Sequence, residues 1–232
     1  MTALLVTNSD ACVSVAPAIR RMVLAPGGVA GGATASVDLL WIPLGAGERV
    51  VRLGGRLFET AAALVDRRAS CELFHSALEV RLHEQRFVIE MAPVPDALGD
   101  RRGVVAEGAG VAPWAAKFSI FRYEVRCWRN GQIPDAQSAN VISRRLTEDR
   151  AVVRRVLALL PSVPNAVWGR DEHRTGVTWN SNSVTAWVLA RAGLDTAELH
   201  PPGRRRAPGW NAGITVAEQT RASGEARARQ WI

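Results

Sequence analysis

Hydrophobic and polar residues alternate in three stretches of the chain, and this two-residue period is typical of a half-buried β-strand. The stretches are ELFHSALEVRL at 72–82, QRFVIEMAPV at 85–94 and KFSIFRYEVRCWRNG at 117–131. His83, Glu84 and Gln85 lie where the first gives way to the second, so the pair predicts a β-hairpin. SVDLLWIPLG at 36–45 is a further strand-like apolar run, and ERVVRLGGRLF at 48–58 is a hairpin candidate with a Gly-Gly turn.

Other stretches have the apolar spacing of a helix. TEDRAVVRRVLALL at 147–160 predicts an amphipathic helix capped by Thr147. A helix is also predicted from Ser181 to Ala192, ending at Gly193, and a short one at 56–68. GITVA at 213–217 is interpreted as a short strand, and 96–116 as a long loop.

The order of these elements predicts an α+β domain, in which helices pack on an antiparallel sheet. Residues 1–35 are rich in Gly and Ala and are expected to form a flexible leader. The folded domain is expected to cover 36–217, and 218–232 to form a charged C-terminal tail.

Composition narrows the classes of function. No stretch approaches the roughly 18 consecutive apolar residues of a membrane helix, so no membrane partner is expected. The three cysteines are odd in number and far apart, which argues against a disulfide framework or zinc site and favours the reducing cytoplasm. Net charge is +7, but nearly all basic residues are scattered arginines, as a GC-rich genome produces, and nucleic-acid binding is not favoured. Neither a metal nor an organic cofactor is expected.

The sequence WNSNS at 179–183 begins the helix that is predicted from Ser181. Asparagine and serine are preferred N-cap residues, so the segment has a purely structural interpretation. A hydroxyl at a helix N-terminus also lies in a positive field beside free backbone amides, which can hold an oxyanion. Both interpretations remain open from the residues alone.

A serine nucleophile needs a general base, and His75 is the best candidate among four histidines because it interrupts a predicted strand, which would hold its ring rigidly. A half-buried structural histidine is the alternative. Glu90, on the paired strand, is the carboxylate best placed to orient that ring; otherwise it is an ordinary polar strand residue.

The order of LFHSALEV and WNSNSVTAWVL resembles the circularly permuted papain-like superfamily, which includes PPPDE and NlpC-like proteins and the lecithin-retinol acyltransferases. Those proteins carry histidine on a strand of an antiparallel hairpin, and later an N-C-N-x-F type segment that opens a helix. The resemblance covers about residues 70–195 and sets Asn180, Ser181, Asn182 and Val184 on those motif positions. It implies acyl transfer or hydrolysis at an amide, isopeptide or ester bond of a peptide or acyl substrate.

One departure from that family matters: Ser181 stands where the family has its cysteine. Serine is a weak nucleophile unless a base takes its proton, so two functions stay open. The first is a hydrolase or acyltransferase with Ser181, His75 and Glu90 as catalytic residues, and with Asn182, Asn180, Trp179 and Arg170 binding the oxyanion or substrate. The second is a catalytically silent peptide- or partner-binding module. A basic nucleic-acid-binding protein is a more distant alternative.

Overall fold

The computed structural model describes residues 35–44, 71–93, 103–109, 122–133, 141–203 and 205–229. These residues form six strands and three α-helices, and the predicted α+β class is confirmed at that level. The strands are β1 Ala35–Pro43, β2 Phe74–Leu82, β3 Gln85–Pro93, β4 Val104–Ala109, β5 Arg122–Arg129 and β6 Ile142–Thr147. The helices are α1 Arg150–Leu159, α2 Ser181–Arg191 and α3 Trp210–Arg229, with a 3-10 turn at Leu160–Ser162 after α1.

The strands form one sheet in the order β4-β5-β3-β2-β1-β6, and each neighbouring pair is antiparallel. The predicted hairpin of β2 and β3 is confirmed, with Leu82 opposite Gln85 across a two-residue turn. His83 in that turn has a φ of 58°, the left-handed conformation that such short hairpin turns require.

Strand alternation gives the sheet two different faces. The inner face packs against the helices and carries the main hydrophobic core, which includes Val37, Leu39, Trp41, Phe74, Leu78, Val80, Ile89, Met91, Val125 and Cys127. The outer face carries a smaller apolar cluster of Ile42, Ala77, Val88 and Ile133. Charged residues alternate with this cluster along the same strands, so polar chemistry on β2, β3 and β5 lies on the outer face.

Helix α2 lies between the sheet and α3, and every residue from Asn182 to Ala190 is buried. Its sequence is apolar around most of its circumference because it has no solvent-facing side. The approach of α3 is close: a Cβ atom added at Gly213 would overlap the carbonyl oxygen of Ser183. Glycine at this position therefore allows the two helices to pack backbone to backbone.

Two strands were missed by the sequence interpretation. Strand β4 falls inside the predicted loop 96–116, and its backbone is paired with β5 through a register irregularity. Strand β6, with the sequence ISRRLT, lies at the edge of the sheet and, among the described strands, pairs only with β1. Three of its residues are exposed, so it lacks the alternation that marks a strand with one buried face.

The cap of α1 was also assigned to the wrong residue. Asp149, not Thr147, is the N-cap, and its carboxylate accepts a hydrogen bond from the amide of Ala151 over 2.7 Å. Thr147 is the last residue of β6, and its hydroxyl accepts from the amide of Asp149 over 3.0 Å.

The strand predicted at GITVA is wrong as well, because those residues belong to α3. The buried residues Ala212, Val216 and Ala217 have helical spacing, which a five-residue window hides. Residues 218–229 of the expected tail continue the same helix.

Three predicted segments lie outside the described residues: the leader up to residue 34, the hairpin candidate at 48–58 and the helix at 56–68. None of the described helices has both the length and the apolar character needed to cross a membrane.

Candidate active site at the start of helix α2

Helix α2 begins with a complete capping box. Asn180 has extended backbone and is the N-cap, and its side-chain oxygen accepts from the amide of Asn182 over 2.9 Å. The same side chain also caps the amide of Ser183, whose hydroxyl accepts from the amide of Asn180 over 3.1 Å. Capping of the helix is thus carried out by Asn180 and Ser183.

Residues 206–209, which precede α3, close over this helix start. The carbonyl oxygen of Pro208 accepts from the side-chain amides of Asn180 over 3.0 Å and Asn182 over 2.9 Å. The hydroxyl of Ser183 donates to the carbonyl oxygen of Gly209 over 2.7 Å. Gly209 has a φ of 83°, and a Cβ atom there would overlap the side chain of Asn180. The Pro-Gly dipeptide was the available signal for this segment, but nothing in the sequence linked it to WNSNS.

Hydrogen bonds from α2 also dock its first turns on β2. The side-chain amide of Asn182 donates to the carbonyl oxygen of Phe74 over 3.0 Å. The hydroxyl of Thr185 donates to the backbone carbonyl oxygen of Ser76 over 3.3 Å. Asn182 is 3% exposed, and its one amide group serves both Phe74 and Pro208. These contacts use the donors that an oxyanion-binding role would need, so the geometry assigns Asn182 a structural task.

Ser181 differs from its three neighbours in WNSNS. Within the described part of the chain, neither its hydroxyl nor its backbone amide takes part in a capping or loop hydrogen bond, whereas the amides of Asn182, Ser183 and Val184 are all satisfied by Asn180. Its side chain is partly exposed, while the next nine residues are buried. A partly exposed hydroxyl beside an unused amide is the arrangement that a nucleophile and its oxyanion site require.

The structure brings β2 close to this helix start but directs the side chain of His75 to the outer face. His75 pairs with Ile42 of the outer-face cluster, while its neighbours Phe74 and Ser76 are directed towards α2. His75 is partly exposed and is the second residue of its strand. The sheet therefore lies between the His75 ring and α2. The ring could meet Ser181 only around the end of the sheet at which β2 begins.

Glu90 lies on the outer face together with His75. The pairing of Leu78 with Ile89, continued by one residue, sets Glu90 opposite Ala77 and therefore diagonal to His75 on the neighbouring strand. Diagonal residues on one face lie within reach of long side chains. The structure thus groups the predicted base and its predicted orienting carboxylate on one face of the sheet.

Arg126, which the sequence interpretation did not single out, binds Glu90 from the next strand. Its guanidinium donates to Glu90 over 3.1 Å, to Glu124 over 2.5 Å and to the carbonyl oxygen of Pro93 over 2.9 Å. The three charged residues are between 1% and 5% exposed. Such a buried network holds its members in one geometry, because separating any of them would leave a charge buried without its partner.

Trp179 and Arg170 belong to the loop that leads into α2. Trp179 is 1% exposed and packs against the ring of His173, with centroids 5.2 Å apart, so it supports the loop from within. Arg170 is exposed, and its carbonyl oxygen accepts from the amide of Trp179 over 2.9 Å. Of these two predicted substrate-binding residues, only Arg170 presents its side chain to solvent.

Asp171, which follows Arg170, is used within the loop. Its carboxylate accepts from the amides of Thr175 over 2.7 Å and Gly176 over 2.8 Å. These hydrogen bonds hold the pKa of Asp171 below its usual value. Nearby, burial and then the charge of Glu172 raise the pKa of Tyr123 to about 12.

Among the described residues, no group of three or more histidine, cysteine, aspartate or glutamate side chains is arranged to hold a metal ion. No protein family, curated protein or solved structure matches this sequence.

Proposed function

We propose that the protein is a hydrolase or acyltransferase that acts on an amide, isopeptide or ester bond, with Ser181 as nucleophile and His75 as base. We further propose that its sheet and helices form a circularly permuted papain-like domain, in which serine replaces the usual cysteine. The substrate is a peptide or another acyl compound.

The observation that carries this proposal is the division of roles in WNSNS. Asn180 and Ser183 cap the helix, and Asn182 ties it to β2 and to Pro208. Ser181 takes part in none of these contacts, although it is the partly exposed first residue of the helix. A serine needed only as a cap would be expected to share in the capping.

The position of β2 supports His75 as the base. Asn182, which follows Ser181, is hydrogen-bonded to Phe74, which precedes His75, over 3.0 Å. Ser181 and His75 thus lie near the same end of the sheet, and the proposed mechanism requires the ring of His75 to reach Ser181 around Phe74, the first residue of β2. Glu90, held by Arg126, is on the same face as His75, and we assign it the role of orienting the histidine ring.

The chemistry follows from these positions. The oxygen of Ser181 attacks the acyl carbonyl carbon while His75 takes its proton, and the backbone amide of Ser181 stabilises the oxyanion. Collapse of the tetrahedral intermediate breaks the bond to the leaving group, which receives the proton from His75. Water or another acceptor then attacks the acyl-serine, with His75 again taking and returning the proton.

A fluorophosphonate probe tests this proposal, because it labels activated serines. Labelling at Ser181 is expected in the intact protein and is expected to be lost in Ser181→Ala and His75→Ala. Ser223→Ala, an exposed serine on α3, is the matched control and should label normally. Absence of labelling, or equal labelling of the His75→Ala variant, would contradict the Ser-His mechanism.

The outer-face direction of His75 favours a second candidate, a catalytically silent module that binds a peptide or partner at the same helix start. In that case the intact protein stays unlabelled, and His75 is a structural strand residue. Ser181→Cys separates the two: an iodoacetamide reaction rate that falls on adding His75→Ala indicates a working base. A reaction rate that the added His75→Ala substitution leaves unchanged indicates the binding module.

A further inference from the structure

Residues 168–178, here called the entry loop, lead directly into α2 and are held in a fixed shape by their own acidic side chains. Asp171 accepts hydrogen bonds from two amides of the loop, and the carboxylate of Glu172 accepts from the amide of Val167 over 2.9 Å. Both acids are therefore used to fold the loop.

The entry loop is anchored to the sheet on one side and to the helix start on the other. The amide of Trp168 donates to the carbonyl oxygen of Ala109 at the end of β4 over 2.9 Å. The amide of Gly169 donates to the carbonyl oxygen of Trp179 over 2.8 Å. Since Trp179 is two residues before Ser181, the base of the loop lies roughly 7 Å of extended chain from the candidate nucleophile.

The loop exposes two large apolar side chains and two arginines. Trp168 is 37% exposed and Val177 is 40% exposed, and these are the exposed large hydrophobic residues among those that the structure describes. Arg170 and Arg174 are exposed as well, and neither forms an ion pair with a described residue. Asp171 and Glu172 lie next to them in sequence, but the hydrogen bonds found for these carboxylates go to the loop itself, so the donors of both guanidinium groups stay available.

We propose that the entry loop is the substrate-recognition element, and that it selects acyl compounds in which an apolar chain carries a carboxylate or phosphate. Trp168 and Val177 contact the chain, and Arg170 and Arg174 bind the anionic group through charge-assisted hydrogen bonds. This inference rests on the proposed function of Ser181 for its catalytic readout. A small acyl substrate is favoured over nucleic acid because the loop leads into the turn that carries Ser181.

Two matched esters test the selectivity: p-nitrophenyl hexanoate, which is neutral, and the mono-p-nitrophenyl ester of adipic acid, which adds a terminal carboxylate. The full chain is expected to hydrolyse the adipate ester with a kcat/KM about tenfold higher, the size expected of a charge-assisted contact. In Arg170→Gln/Arg174→Gln the ratio should fall to about one. Arg144→Gln, an exposed arginine on β6, is the control and should keep the ratio.

A binding experiment separates failure of this inference from failure of the proposed function. The anilides of hexanoic acid and adipic acid are not readily hydrolysed, and NMR titration reports their binding to Ser181→Ala. Preferential binding of the adipate anilide, lost in the double arginine variant, supports the recognition role even if no ester is turned over. Equal affinity for both anilides, or a preference that survives the double variant, overturns it. Binding of a single-stranded thymidine oligonucleotide without either anilide also overturns it, in favour of a nucleic-acid surface.

Discussion

The side-chain amide of Asn182 donates a hydrogen bond to the carbonyl oxygen of Phe74 over 3.0 Å, which fixes the first turn of α2 to the first residue of β2. The partners are separated by more than a hundred residues of sequence. This one contact makes neighbours of the residue after Ser181 and the residue before His75, and it underlies the proposed site.

The division of roles at the helix start predicts opposite effects for two substitutions. Ser181→Ala should leave the free energy of unfolding within about 0.5 kcal/mol of the intact protein, because its hydroxyl makes no capping or loop hydrogen bond with the residues that the structure describes. Asn180→Ala should lower it by about 1 kcal/mol or more, since the N-cap and the bond to Pro208 are both lost. Urea unfolding followed by circular dichroism measures both.

An unfolding free energy lowered as much by Ser181→Ala as by Asn180→Ala would show that Ser181 is a structural serine. Asn182→Ala serves as a positive control, because it removes bonds to both Phe74 and Pro208.

The close packing of α2 and α3 predicts that two glycines of the same helix respond in opposite ways. Gly213→Ala should destabilise the protein by about 1–3 kcal/mol, because its Cβ would overlap the backbone of Ser183. Gly224→Ala should stabilise it by about 0.5–1 kcal/mol, because a Cβ there has no described atom within 4 Å and alanine favours the helix. Thermal unfolding of the two variants makes the comparison, and equal shifts would contradict the packing.

Tyr123 provides a prediction for alkaline pH. It is the only tyrosine of the chain, so ultraviolet absorbance of the phenolate reports this residue alone. Its pKa should be about 12, against an ordinary 10.0, because burial disfavours the phenolate and the charge of Glu172 adds to this. The folded state holds the proton more tightly, so the resulting stabilisation is complete below pH 10 and is lost as the pH rises towards 12.

The change Glu172→Gln should lower the pKa of Tyr123 only part of the way from about 12 towards 10.0, since burial is the larger cause of the shift. A phenolate that forms near pH 10 while the protein is still folded would mean that Tyr123 is exposed to solvent.

Strands β2 and β3 could be predicted from the sequence. Each has one buried face and a paired strand on either side. Strands β2 and β3 alternate because each has a core side, and their turn is marked by polar residues. Strand β6 was missed because an edge strand with exposed residues has no such pattern. The apolar run at 213–217 was mistaken for a strand because helix and strand spacing coincide over five residues.

Less of the candidate site could be predicted. The sequence indicated that WNSNS opens a helix, and the structure assigns capping to Asn180 and Ser183. The closing contacts from Pro208 and Gly209 depend on the path of the chain between α2 and α3, which no local pattern encodes. The face to which His75 points follows from strand alternation, but which face the helices cover depends on packing.

The closing contacts of Pro208 and Gly209 also constrain when the site can form. These residues leave the ribosome well after both β2 and α2 have been synthesised, yet they complete the hydrogen bonds around Asn180, Asn182 and Ser183. When Ser181 has just been synthesised, the growing chain therefore still lacks the contacts of Pro208 and Gly209 with the start of α2. The hydrogen bonds that hold this helix start are therefore complete only once residues 208 and 209 have been made and have docked on α2.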